Sequence, residues 1–302
     1  MICQLFLHIS ITYAYVVEGV MQMKCAWQAY LNLLPIWMRN DVDKQGRDTL
    51  LELRLRLHKP ATLITTAGVL DLNRSVSISD IQFCINMASK YSPWNATSIC
   101  SGYITALGGH RIGICGETVS KNGSMTGIRF PNSLCIRVAR DYPGIARDAD
   151  RLTGSVLVIG PPGSGKTTLL RDMVRRRSLN EFVSVVDERE EIFPVFNDAV
   201  LFQTGKHTDI LSGCPKDIGI DCVLRSMSPT IIAVDEITAQ RDCDALIKAG
   251  GCGVKLLATA HATSRSDLLK RPIYRAILDA NIFDSLLVMH IDKSWHVERM
   301  NS

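Results

Sequence analysis

The chain has 302 residues, 34 Lys and Arg against 30 Asp and Glu, and a formal net charge of +4. This near-balance gives no footprint for wrapping nucleic acid, and the length admits about two domains. Ten cysteines without a CxxC pair or a His–Cys metal spacing fit reduced cytosolic thiols, not a disulfide framework or a zinc site.

Leu5–Val17 is apolar but shorter than the about 17–25 residues of a membrane span. It also lacks the basic start and small-residue cleavage site of a signal peptide. Glu18-Gly-Val20 is what a purine-rich ribosome-binding site encodes when translated, and Met21 and Met23 follow. Residues 1–20 are therefore expected to precede the true start or to be disordered. An amphipathic membrane-docking segment is the rival reading.

From Met21 the pattern is that of a small α+β unit. A helix is predicted near Cys25–Leu34, closed by Pro35, with a polar stretch around Asp41–Asp48. Leu51-Glu-Leu-Arg-Leu-Arg-Leu57 alternates strictly, as a half-buried strand does, with Arg54 and Arg56 on its wet face. A helix near Ser79–Lys90 precedes strand-like runs at Tyr103–Thr105, Arg111–Cys115 and Ser133–Ala139. Gly108-Gly109 and the hairpin signal Asn122-Gly123 separate those runs. This predicts an α+β domain over 21–145, joined through the polar stretch Gly144–Gly154 to a second domain over 146–302.

Residues 160–167, Gly-Pro-Pro-Gly-Ser-Gly-Lys-Thr, fill every fixed position of the phosphate-cradling loop G-x-x-x-x-G-K-[ST]. The apolar run Ser155–Ile159 precedes it and a helical pattern from Thr168 to Arg176 follows, the context this motif requires. Gly160, Gly163 and Gly165 let successive amides turn toward phosphate oxygens, and Pro161, Pro162 and Ser164 complete the loop. Lys166 is placed to reach the β- and γ-phosphates, Thr167 to ligate Mg²⁺, and Thr168 to continue the contact into the helix. The chain is read as binding ATP.

Phe182–Asp187 is a second apolar strand, ending in the charge cluster Asp187-Glu-Arg-Glu-Glu191. Its carboxylates could bind metal, orient water or pair with an arginine, or simply cap a strand-to-helix turn. Thr230–Val234 is a third strand, ending in Asp235 and Glu236. Asp235 is placed to hold Mg²⁺, and Glu236 to polarise a water for attack on the γ-phosphate. A fourth, Val254–Ala260, ends in Thr259 and His261, where a polar group can sense the γ-phosphate; a last strand covers Ser285–Ile291. Helices are predicted over Thr168–Arg177, Ile218–Met227, Arg241–Ala249 and Arg265–Ala280. Apolar strands alternating with helices give a parallel sheet with its ligand edge at the strand ends. A strand between the P-loop and Asp235 strands, with Glu236, points to a RecA-like P-loop ATPase core. The basic run Arg175-Arg-Arg177 reads as a helix C-terminus complementing its dipole.

The P-loop, the Asp187-Glu-Arg-Glu190 box, Arg225-Ser-Met-Ser-Pro229, the Asp235-Glu236 strand and Leu257-Ala-Thr-Ala-His261 together resemble the stage III sporulation protein AA family. Glu52–Leu57, Gly108–Cys115 and Ile136–Arg140 fit the same family upstream. The family's members are ATPases of endospore formers, similar to type II and type IV secretion ATPases. The resemblance implies that Lys166 and Thr167 bind nucleotide, Glu190 lies in the acidic box, Glu236 is the catalytic acid and His261 lies in the histidine box. It also implies that Arg129, Arg137 or Arg140 folds over the nucleotide of the same or a neighbouring subunit, with Arg225 a further candidate. A homohexamer is implied, as is a cytoplasmic place against membrane-embedded export or channel subunits on the mother-cell side. Thr238-Ala-Gln240 departs from the family pattern, which puts that loop's coupling role in question. Two other classes remain: a RecA-like nucleic-acid translocase, which the sparse, scattered aromatics argue against, and a nucleotide-gated scaffold, which the intact acids argue against.

Overall fold

The computed structural model describes residues 23–89, 102–121, 123–196 and 199–300. The expectations for residues 1–20 and for Lys90 and Asn122 lie outside them.

The N-terminal part is built on a six-stranded antiparallel sheet in the order β3-β2-β1-β6-β5-β4. After α1 (Trp27–Asn32), the stretch read as polar is a helix, α2 (Ile36–Thr49), broken at Gly46 by φ +75°. Buried Met38 and Val42 lie one turn apart on it, too few apolar positions to betray a helix in the sequence. Strand β1 (Leu50–Arg56) buries Leu50, Leu53 and Leu55 but leaves Leu51 42% exposed. A register shift between Leu50 and Glu52 moves the alternation out of phase with the strict pattern. Strands β2 (Pro60–Thr65) and β3 (Gly68–Ser75) and helix α3 (Ile78–Ser89) follow. Beyond β4 (Tyr103–Thr105), the hairpin of β5 (Arg111–Lys121) and β6 (Ser124–Arg137) closes at Gly123, with φ +77°.

The second part is a seven-stranded sheet in the order β11-β8-β12-β13-β7-β14-β15, parallel except for the last pair. In chain order its elements are β7 (Val156–Ile159), α4 (Lys166–Arg177), β8 (Val183–Asp187), the short pair β9 (Val195–Phe196) and β10 (Ala199–Val200), and β11 (Thr208–Ser212). Then come α5 (Lys216–Ser226), β12 (Ile231–Val234), α6 (Gln240–Gly251) and β13 (Lys255–Ala260). Helices α7 (Arg265–Lys270) and α8 (Pro272–Asp279) precede β14 (Ser285–Met289) and β15 (Trp295–Arg299). Residues of β7, β8 and β12 are buried on both faces, under separate apolar clusters. That double burial is why these strands read as continuous apolar runs. The single helix expected over 265–280 is two, because Pro272 cannot continue the first and starts the second. The strand lying between the P-loop strand and the Asp235 strand in the sheet is β13, not the sequence-intermediate β8.

The basic run at the end of α4 is not a solvated helix end. Arg175 is buried and donates to Asp141 (2.8 and 2.9 Å) and Asp172 (2.6 Å). Asp172 in turn accepts from the Gly144 and Ala146 amides at 3.0 and 2.8 Å. Arg176 pairs with Asp150, and Arg177 donates to the carbonyls of Leu152, Thr153 and Gly154. The joint is thus stapled to the helix that follows the P-loop.

His110 staples the other side of that joint. Its Nδ1 accepts from the Ala139 amide at 3.1 Å, so Nε2 carries the proton and donates to the Ala26 carbonyl at 3.0 Å. Burial holds its pKa down, to about 4 from the usual 6.5. The folded state therefore refuses a proton that the unfolded chain accepts, so stability is complete above about pH 6.5 and falls as pH drops toward 4. Urea titrations at pH 7.5 and 4.5 should show a loss of about 1–3 kcal/mol from this group, smaller in His110→Gln. A pH slope unchanged by the substitution would exclude His110 as its source.

Candidate functional site

The parallel strands carry the chemistry-bearing residues to one edge of the sheet. Strand β7 runs into Gly160, where an added Cβ would come 2.6 Å from Ser164 Oγ and 2.9 Å from the Met289 carbonyl. Close approach thus demands the first glycine, whereas Gly163 and Gly165 turn the loop with φ +75° and +99°. Helix α4 begins at Lys166, so the loop sits on its positive end. Ser164 Oγ is buried without a hydrogen-bond partner, a group that a phosphate oxygen would satisfy. Thr168 lies in the helix's first turn.

Lys166 is buried and its Nζ donates to the Gly160 and Pro161 carbonyls at 2.9 and 3.0 Å. It also lies 3.1 Å from His261 Nδ1. Burial lowers the lysine's pKa, against the raising effect of Asp235 and Glu236. Because His261 Nδ1 accepts from the ammonium, Nε2 carries hydrogen and donates to Glu236 Oε1 at 2.7 Å. Lysine, histidine and glutamate thus form one continuous chain.

Asp235 sits between two hydroxyls. The Thr167 hydroxyl donates to its Oδ2 at 2.6 Å, and the Thr259 hydroxyl to its Oδ1. Thr259 Oγ1 also accepts from the Glu236 amide at 2.7 Å. Glu236 turns out of the strand with φ +54°, in the left-handed region that non-glycine residues seldom enter. Its second oxygen accepts from Arg189 Nη1 at 2.5 Å.

The acidic box after β8 divides by role. Asp187 is buried and accepts from the amides of Glu191, Ile192 and Phe193 at 2.8–2.9 Å. Burial pushes its pKa up to about 6 against those donors. It braces the turn, the plain alternative to metal binding, and the turn runs on into a loop and not a helix. Glu188 pairs with Lys216, and Glu191, its pKa raised by burial, pairs with Arg111 of β5. A small cavity between the ends of β8 and β12 is lined by Glu188, Arg189, Glu191, Lys216, Asp235 and Glu236. Glu190, at φ +55°, is not among its lining residues.

The expected arginines lie apart from this cluster within the chain. Arg129 pairs with Glu117, and Arg137 is exposed, 3.6 Å from Glu52. Arg140 donates to the Arg47 and Leu50 carbonyls. Arg225 pairs with Asp221 and lies near Ser228 and Val254, by the starts of β12 and β13, the edge opposite Asp235. In the divergent loop, the Thr238 and Ala239 amides donate to Asp242, which caps α6.

Sequence reading passed over three cations at the site. Arg189 was hidden inside a box read for its carboxylates. Lys216 has no signal beyond its place at a helix start. Lys293, at φ +71° in the turn between β14 and β15, donates to the Gly163 carbonyl, a contact that only the sheet order creates.

Thr259 touches both acids, so Thr259→Val should lower stability by about 1–3 kcal/mol through the unpaired groups it leaves. Thr259→Ser, which keeps the hydroxyl, should unfold close to wild type. Thermal unfolding of the three proteins checks this, and a Val variant as stable as wild type would refute it.

The profile of a family described as sporulation stage III, protein AA, matches residues 28–298. Stage III sporulation protein AA of Bacillus subtilis (strain 168) is 35% identical over 270 residues, spanning 84% of this chain and 88% of that relative. The solved structure of the pilus retraction motor PilT with bound ADP aligns at TM-score 0.59 and 13% identity, over 89% of this chain and 84% of its own. The ATPase DotB of Legionella pneumophila aligns at TM-score 0.51 and 16% identity, over 88% and 80%. These structural likenesses establish the RecA-like α/β fold, preceded by an α+β part. The chain belongs to the sporulation stage III, protein AA family.

Proposed function

We propose that this chain is a Mg²⁺-dependent ATPase that drives or gates a membrane-embedded export or channel complex during sporulation. The observation that carries the reading is Asp235 held between Thr167 of the P-loop helix and Thr259, with Glu236 beside it. Loop amides and Lys166 bind the phosphates, and the Thr167 hydroxyl with Asp235 fits Mg²⁺. Bound there, Mg²⁺ would neutralise phosphate charge. Glu236 takes a proton from the attacking water, and His261 relays between that carboxylate and Lys166. Glu190 is assigned to the acidic box beside them. Residues 146–302 form the ATPase unit and 21–145 its N-terminal partner.

Membership in a sporulation family and the secretion-motor fold support the membrane assignment. Among the described residues no helix is long and apolar enough to cross a membrane, so contact is peripheral in this reading, on the mother-cell side of the cytoplasm. The nucleotide edge of one chain needs a lid, and a second copy's N-terminal part is the natural one, in a head-to-tail ring of about six subunits. Arg137, exposed and held only by a 3.6 Å ion pair to Glu52, is better placed for that role than Arg140, which is committed to its own chain's backbone.

Lys166→Ala should abolish nucleotide binding in a fluorescent-ATP titration. Glu236→Gln should keep binding and lose about 10²–10⁴-fold in phosphate release, because an amide cannot act as a base. Equal turnover in wild type and Glu236→Gln would remove Glu236 from the mechanism.

Assembly has its own test. Mixing Lys166→Ala subunits with Arg137→Ala subunits should restore part of the activity, because each supplies what the other lacks. A protein that hydrolyses ATP as a monomer, with specific activity independent of concentration in light scattering and rate measurements, would overturn the ring.

A further inference from the structure

The carboxylate assigned as base is not free. Oε1 of Glu236 takes the hydrogen of His261 Nε2 at 2.7 Å and Oε2 that of Arg189 Nη1 at 2.5 Å. A base that must draw a proton from water needs an open lone pair directed at that water. With a guanidinium on one oxygen and an imidazole on the other, Glu236 has both oxygens engaged, and a water competes with these donors for the lone pairs that remain.

Arg189 reaches Glu236 from a loop whose backbone is fixed on three sides. Asp187 ties down its amides at 191, 192 and 193. Arg171, buried in α4, donates to the carbonyls of Glu191 and Ile192. Arg111, from β5 of the N-terminal sheet, pairs with the Glu191 carboxylate and lies 3.3 Å from the Arg189 carbonyl. The Arg111 guanidinium is itself held over the Tyr103 ring at 3.9 Å. The Arg189 side chain, in contrast, is 47% exposed and free to swing. Its backbone position is therefore set partly by the N-terminal sheet, while its head group is paired with Glu236.

We propose that Arg189 is a latch that withholds Glu236 from catalysis in the empty site, and that the N-terminal sheet sets this latch through Arg111. The proposal rests on the assignment of Glu236 as base. A γ-phosphate entering above Lys166 offers a guanidinium a doubly charged acceptor with fork geometry, stronger than a single carboxylate oxygen. Arg189 then leaves Glu236, and the carboxylate is free for water only when a triphosphate is present. Movement of the N-terminal sheet shifts the Arg189 carbonyl through Arg111, so a neighbour or membrane partner pulling on that sheet resets the latch. In this scheme Arg189 restrains Glu236 in the empty site and contacts the γ-phosphate in the loaded one.

The test reads the latch in two ways on the full-length chain. Nucleotide-free wild type, Arg189→Ala, Arg189→Lys and Arg111→Ala are labelled with a carbodiimide and glycine ethyl ester, and modification of Glu236 is measured by mass spectrometry. Steady-state ATP turnover is measured on the same preparations. Arg189→Ala should raise Glu236 labelling in the empty site by about fivefold, the scale of a partly exposed ion pair, while kcat, read with the triphosphate bound and the latch already open, should not rise. Arg189→Lys should restore labelling toward wild type, and Arg111→Ala should raise it by less than Arg189→Ala does. Labelling equal in wild type and Arg189→Ala would overturn the latch. A kcat raised by Arg189→Ala at saturating ATP would also overturn it, because Glu236 would then still be withheld with the triphosphate bound. No turnover in wild type, with the labelling difference intact, would strike the ATPase assignment while supporting the restraint on Glu236.

Discussion

Asp235 is the contact on which the site depends. Its carboxylate joins the P-loop helix, through Thr167, to the end of β13, through Thr259, while its own backbone ends β12. Three chain segments that lie far apart in sequence are thereby fixed around one pair of oxygens. The parallel order β12-β13-β7 makes this possible, because strands running the same way release their polar ends at one edge. Thr259 then extends the control by one residue, holding the Glu236 amide and with it the left-handed turn that aims that side chain.

A second constraint keeps the two sheets in register. Arg175, Asp141 and Asp172 form a buried charge cluster beneath the joint, and Arg171 spans from the same helix to the loop after β8. Leaving one charge unpaired in such a place costs about 3–5 kcal/mol, so the cluster is kept whole or lost altogether. Its effect is geometric: the helix that starts at the P-loop is the same helix that holds the joint. A displacement of α4 therefore reaches residues 141–146 without an intermediary.

The chemistry of this molecule was more legible in the sequence than its packing. The P-loop, the Asp235-Glu236 strand end and the β13 strand ending at Thr259 stand out because doubly buried strands read as continuous apolar runs closed by polar residues. Strands β2, β3, β11 and β15 escaped notice, since each lies at or next to a sheet edge and few of its residues are buried, so apolar patterning weakens. Arg175–Arg177 reads in the sequence only as a helix C-terminus, because sequence shows charge but not the aspartates folded against it. Arg189 and Lys293 were invisible as site neighbours for the same reason, their partners lying 47 and 130 residues away.

The loop from Asp187 to Phe193 brings these constraints together. It receives Arg171 from the P-loop helix and Arg111 from the N-terminal sheet, donates three backbone amides to the Asp187 carboxylate, and sends one side chain to Glu236. A loop held only by its own turn would move independently of both sheets and carry nothing between them. Held from both, it has no position that satisfies one sheet's arginine without fixing the other's. The carboxylate at its far end is accordingly sensitive to the relation between the two parts of the chain, and not to either alone.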